Sequence, residues 1–295
     1  MKNFLTKLII IIFFILIFIK KDIMYYTIYS TTLIWFKNIV PNLLPMFIIT
    51  SLIISSNLII NICNLFGGIF SKIFRCSKYG IFVFILSLFT GSPSNAKYIK
   101  DLIDNNLIST SEGNKLLLFT TNYNPLLIYS LLTLYLTKKE SIYLIIITIL
   151  TNIIIGLINR NIEYKIIKNN YNLATINLSK IIKETIDTLL MILGTLIVFN
   201  IIINIIPFNN TYIRNMFNGI LEITTSLNGL KYLTINKCLK IILSLIYLSF
   251  GGLSIHTQIK SIFPDTNYKL FLKNKLLSIL ISMVILLLFH SMGLL

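Results

Sequence analysis

Charge is scarce in this sequence. Only 12% of its 295 residues are Asp, Glu, Lys or Arg, about half the share of an ordinary soluble domain. Acid is scarcer still: ten carboxylate side chains stand against 26 basic ones, for a formal net charge of +16. With 56% hydrophobic residues and a mean hydropathy of +0.84, a water-soluble fold of this length could not hide its apolar surface. Histidine is rare (His256 and His290). The three cysteines, Cys63, Cys76 and Cys238, are odd in number and have no paired spacing, which argues against a disulfide framework, a zinc site or a redox pair. No CxxC or HExxH pattern and no nucleophile–base pairing occurs, so neither catalysis nor a metal or cofactor is expected. The basic excess does not read as a nucleic-acid module. Its lysines are scattered between apolar runs, where they meet anionic lipid head groups.

What is abundant is apolar sequence in long runs. A span needs roughly 20 apolar residues at 1.5 Å rise each. Residues 4–19 form such a run between Lys2 and Lys20-Lys21. No small-residue cleavage site follows, so a retained N-terminal membrane helix (1–22) is expected rather than a signal peptide. Residues 23–36, with Tyr25, Tyr26, Tyr29 and Trp35, read as a short interfacial helix. A span is expected at about 40–60, after Pro41 and Pro45, and a short re-entrant or interfacial helix at 62–74. Ordinary spans are expected at 141–158, 180–206 and 276–295. A polar connector, 161–177, separates a first half (23–160) from a second (178–295) within one transmembrane domain, 1–295. The fold expected is all-α and polytopic, with about seven to nine membrane helices, broken or re-entrant half-helices included.

Several apolar segments are interrupted. Residues 79–90 are too short to span and stop at Gly91-Ser92-Pro93-Ser94-Asn95-Ala96-Lys97, after which a polar helix is expected at about 97–107. Residues 116–137 are broken at Thr120-Thr121-Asn122-Tyr123-Asn124-Pro125, because the residue before a proline is pushed out of helical geometry. Residues 217–230 read as one short half-helix carrying Glu222. Residues 238–250 stop at Gly251-Gly252-Leu253-Ser254-Ile255-His256-Thr257-Gln258. Placing 89–98 on 250–259 gives two identities, Phe89/Phe250 and Gly91/Gly252. Paired interruptions in two halves are a sequence pointer to a transporter's binding site. Exposed backbone cannot face lipid, so it must line protein or a wet cavity, and half-helix N-termini attract anions.

The motifs at these breaks carry a family resemblance. Residues 91–97 resemble the G-Y-P-x-G-A-K motif of the YlbJ-like sporulation integral membrane proteins, part of the wider nucleoside-recognition or "Gate" membrane domain. Asn122 and Pro125-Leu126-Leu127-Ile128 resemble that family's N-N-P-x-P-L-F-I segment, and Gly251 to Gln258 its G-G-L-S-V-H-A-Q. Pro41-Asn42-Leu43-Leu44-Pro45 resembles its P-x-L-L-P-F. The resemblance covers about residues 25–294. The pattern departs at Ser92, Asn95 and Thr121, which points to a divergent member. The resemblance implies a transporter of dipicolinic acid, moving it from the mother cell into the forespore across the mother-cell-derived outer forespore membrane. Two other readings stay open: a nucleoside or other small-solute permease of the same superfamily, and a non-transporting sporulation membrane assembly subunit.

Dipicolinate is a planar aromatic dianion, for which a carrier needs fixed donors, partial positive charge and a flat apolar slot. Lys97 by itself reads as a lysine snorkelling to the interface; with the motif it becomes a carboxylate partner. His256, at membrane depth in the sequence, is a candidate substrate donor or proton carrier. Ser92, Asn95, Asn122, Ser254 and Gln258 are candidate hydrogen-bond donors, although each type is common in helix packing. Gly91, Gly251 and Gly252 permit backbone geometry closed to other residues, and Pro93 and Pro125 complete the substrate-binding set. Glu222 is the candidate proton-coupling carboxylate. The partners expected are the bilayer and a small anion, with a homo-oligomer left open.

Overall fold

The computed structural model describes residues 7, 11, 14–56, 58–167 and 176–294. Most of the expected N-terminal helix and the middle of the connector lie outside them; within the first, residues 14–19 are helical. All regular structure among the described residues is helical. Among the described residues, five helices are long and apolar enough to cross a membrane, and the chain is a polytopic all-α membrane protein.

The first long helix runs from α1 (Lys21–Ile34) through a π-helical turn (Trp35–Ile39) into α2 (Val40–Ile54). This corrects the expected division into an interfacial helix and a separate span. Pro41 lacks an N–H and would break the regular ladder. The wider turn absorbs the gap: Val40 N–H donates to the Trp35 carbonyl, five residues back. Then follow α3 (Leu58–Phe74), α4 (Gly80–Thr90), α5 (Ser94–Asp104), α6 (Thr110–Thr120), α7 (Pro125–Leu132) and α8 (Lys138–Ile158). The second half comprises α9 (Leu178–Ile205), α10 (Thr211–Leu221), α11 (Ile223–Leu230), α12 (Lys237–Phe250), α13 (Gly252–Ile262) and α14 (Tyr268–Ser291). The segment around Glu222 is thus two helices meeting at Glu222, where one was expected.

Polar side chains fasten the spans. α1 lies antiparallel to α9. Lys20 donates to Ile205 O (2.7 Å), Asn204 to Thr27 Oγ1 (3.2 Å), Asn200 to Thr31 Oγ1 (3.2 Å) and Trp35 Nε1 to Leu189 O (3.0 Å). Such bonds hold helices together where lipid supplies no hydrophobic drive. α8 and α12 both pack on α14. Glu140, in the capping box that starts α8, pairs with Lys237 at the start of α12 at 2.5 Å. In its most apolar 18-residue stretch Lys237–Ile262 is 50% buried, against 22% for Leu178–Ile205, so α12–α13 is central and α9 peripheral.

Two apolar cores result. One gathers α2 to α6 with Ile259, Ile262 and Phe271 of the second half. The other gathers Ile128, Leu132, Leu144 and Ile147 of the first half with Ile223, Leu227, Leu245 and Leu248 of the second. Each core therefore draws on both halves.

Candidate functional site

Four pairs of half-helices, α4/α5, α6/α7, α10/α11 and α12/α13, meet at four breaks. The breaks are built in two back-to-back pairs. In the first pair, Gly91 ends α4 at φ +76°, and any Cβ there would collide with the backbone N of Asn124. Ser92 N–H donates to Asn122 O (2.8 Å). Asn122 Nδ2 donates to Ser87 Oγ (2.9 Å), and Asn152 Nδ2 donates to Asn122 Oδ1 (2.8 Å) and Thr121 O (3.1 Å). Asn95 donates to Thr120 and Thr121 hydroxyls. Backbone freed from the helix at membrane depth is in this way satisfied internally. Asn122 and Asn95 spend their amide donors on scaffolding, and Asn152, which sequence reasoning missed, completes the lattice. An Asn in the middle of the apolar span 141–158 was the signal available.

The second pair repeats the construction. Gly251 and Gly252 take φ +96° and +70°, and a Cβ on Gly252 would lie 3.1 Å from Leu221 O. The chain opens beside it at Glu222, whose backbone is extended. The Glu222 carboxylate, 3% exposed, then caps α11, accepting from Thr224 N (3.1 Å), Thr224 Oγ1 (2.6 Å) and Thr225 N (2.7 Å). An acid at a helix N-terminus also answers the helix dipole. In chain order, the breaks at Gly91 and Glu222 come first in each pair, and those at 121–124 and Gly251 second.

A cavity of about 490 Å³ opens where the four breaks meet. Its walls include Ser92 and Pro93 at the head of α5, Asn124 at the head of α7, Glu222 to Thr225 at the head of α11, and Ile255 and Gln258 of α13. α1, α2 and α9 complete it with Thr31, Asn38, Asn42 and Asn200 among apolar side chains. Asn124 caps α7 through Leu126 N and Leu127 N; α5 and α13 have no side-chain cap. Among the described lining residues the one carboxylate is Glu222, and there is no Lys, Arg or His.

The likeness reported by comparison is to a sporulation protein. The chain is 23% identical over 282 residues to the sporulation integral membrane protein YlbJ of Bacillus subtilis (strain 168), covering 80% of this chain and 69% of that one. No family model and no solved structure matches. The similarity supports the YlbJ-like resemblance carried by the break motifs.

Of the predicted site residues, Ser92, Pro93, Glu222 and Gln258 line the large cavity, and Gly91, Gly251 and Gly252 shape its breaks. Lys97 does not line it. It is 3% exposed, pairs with Asp101 at 2.5 Å, and approaches Ser51 Oγ (3.4 Å), which itself donates to Asp101 (2.7 Å). Lys97 and Asp101 border a separate, charged cavity of about 240 Å³ between α5, α9 and the end of α13. His256 also turns away from the large cavity. Its Nε2 lies 2.9 Å from Phe250 O and its Nδ1 3.1 Å from Tyr268 Oη. A carbonyl can only accept, so Nε2 carries the proton and Nδ1 accepts from the tyrosine. The ring clamps the last carbonyl of α12 across the break. Ser254 receives a long bond from Gln258 (3.4 Å), and Asn122 and Pro125 border only a small crevice.

Proposed function

We propose that the chain is a small-solute transporter of a sporulation membrane, that the cavity at the four breaks is its substrate site, and that dipicolinate is the substrate. The observation that carries this reading is the meeting of four interrupted helices on one cavity, two of whose half-helix N-termini, at α5 and α13, lack a side-chain cap. A helix N-terminus without a side-chain cap carries partial positive charge that favours an anion; at α5 the Ser94 and Ala96 N–H groups already donate to Gly91 O and Pro93 O, so charge rather than free N–H groups is what that end offers. About 490 Å³ lies within the range of small-molecule sites, and the mixed apolar and amide walls suit a flat ring with polar ends. The YlbJ likeness supports the sporulation setting, with the outer forespore membrane as the location. No enzymatic step and no cofactor is part of this reading. The lipid bilayer is the chain's surrounding partner.

Glu222, the one carboxylate among the described lining residues, is the residue proposed for proton coupling. Lys97 and His256 act at one remove: Lys97 pairs with Asp101, which ties α5 to Ser51 of α2, and His256 holds the α12–α13 break.

The absence of basic side chains among the described lining residues also favours a second reading, a permease for a neutral solute such as a nucleoside. Vesicles containing the purified chain decide between them. The first reading expects uptake of labelled dipicolinate and none of labelled nucleoside; the reverse result establishes the second. If neither solute moves while a deletion strain still makes dipicolinate-poor spores, the chain is an assembly subunit instead.

A further inference from the structure

Tyr123 belongs to the 120–125 break, and its side chain sits where the two pairs of breaks face each other. It is fixed from both sides. Asn122 before it is held by Ser87, Asn152 and the Ser92 N–H, and Asn124 after it caps α7. From this mount the Tyr123 ring crosses to the other half: a Cβ at Gly251 would lie 2.5 Å from its hydroxyl. The residue lines the 490 Å³ cavity. Its hydroxyl is buried and has no hydrogen-bond partner in the protein. Ser92, in the first break, lines the same cavity, and its hydroxyl is likewise buried without a partner.

Buried tyrosine and serine hydroxyls nearly always find partners. Two unpartnered hydroxyls on residues of one cavity wall, each on a break loop, are donors that a ligand seated there would satisfy. We infer that Tyr123 and Ser92 are the substrate-orienting hydroxyls of this site, donating to acceptor oxygens, carboxylate or carbonyl, of a planar solute. This rests on the transport reading above. Neutral O–H donors can hold such oxygens without a basic residue, which the described lining does not contain. Tyr123 also spans the two halves, so the same hydroxyl that meets substrate reports the separation between the Gly91 and Gly251 breaks.

The test uses the full chain in vesicles and the variants Tyr123→Phe and Ser92→Ala. Phenylalanine keeps the ring and removes only the hydroxyl. The expected result is an increase of about 10- to 100-fold in the half-saturating dipicolinate concentration for Tyr123→Phe, the scale of one lost hydrogen bond to a charged oxygen, and a similar direction for Ser92→Ala. The thermal unfolding midpoint of the substrate-free protein should stay at the wild-type value, because no protein partner is lost. Unchanged uptake in both variants overturns this assignment and leaves the transport reading standing. A lowered midpoint in Tyr123→Phe also overturns it, by showing that the hydroxyl has a structural partner such as a trapped water. If the wild type transports neither dipicolinate nor nucleoside, the transport reading falls and this assignment falls with it.

Discussion

Single residues decide whether irregular backbone survives at membrane depth. Lys115 is 2% exposed, and its ammonium donates to Arg75 O (2.6 Å), Arg160 O (2.8 Å) and Ile162 O (3.0 Å). It thereby ties the chain just beyond α3 to the chain just beyond α8, where carbonyls lack helical partners. In the sequence it looks like one more scattered lysine. Lys115→Met should cost about 3 kcal/mol or more, since it strands three carbonyls, and denaturant unfolding in detergent would register this; a variant as stable as wild type would refute the clamp. Gly251 is constrained twice, by φ +96° and by the Tyr123 hydroxyl. Gly251→Ala should lose about 2 kcal/mol. Adding Tyr123→Ala should recover only part of that loss, because the clash is relieved while the backbone strain stays. Full recovery would show that strain contributes nothing.

At the scale of elements, a break is legible where the residues themselves interrupt a helix. The stops at Gly91, before Pro125 and at Gly251 follow from glycine and proline chemistry and stand where the sequence reading put them. The break at Glu222 is different. Leu221-Glu222-Ile223 contains neither breaker, and the chain opens there with the Gly252 backbone packed close to Leu221 O. The converse occurs at Pro41, where a breaker is present and the π-turn carries the helix through. The first pair of breaks hangs on Asn152, a residue on a different helix. Asn152→Leu should leave Thr121 O and Asn122 Oδ1 without their side-chain donor, at a cost of about 2 kcal/mol. It should also depress dipicolinate uptake more than Asn159→Leu, a variant at the far end of α8 whose bond to Asn274 is remote from the cavity. Equal uptake in the two variants would remove Asn152 from the site's scaffold.

At the scale of the molecule, the two halves share their cores. Ile259, Ile262 and Phe271 pack into the cluster built mainly on α2 to α6, and α7 and α8 pack with α11 and α12. The large cavity is likewise lined from both halves. A chain cut within 168–175 should therefore assemble only when both fragments are made together. Either fragment alone should be degraded, since each would leave apolar surface shaped for the other rather than for lipid. Membrane fractionation of singly and jointly expressed fragments reads this directly, and a stable lone fragment would mean that the halves are independent domains.

The sequence by itself determined that this is a helical membrane protein, roughly where its long spans lie, and that some apolar segments are interrupted. Those properties depend on hydropathy over a window and on the local stereochemistry of glycine and proline, and both are written in neighbouring residues. Only the tertiary structure decided what the interruptions enclose. It turned Lys97 toward Asp101 and His256 toward Phe250 and Tyr268, and it brought Tyr123 and Glu222 to the cavity. Some of these partners are close in sequence, Asp101 four residues from Lys97 and Phe250 six from His256, but whether a side chain faces such a neighbour or the cavity depends on how its helix is rotated against the rest of the fold, and no local pattern encodes that.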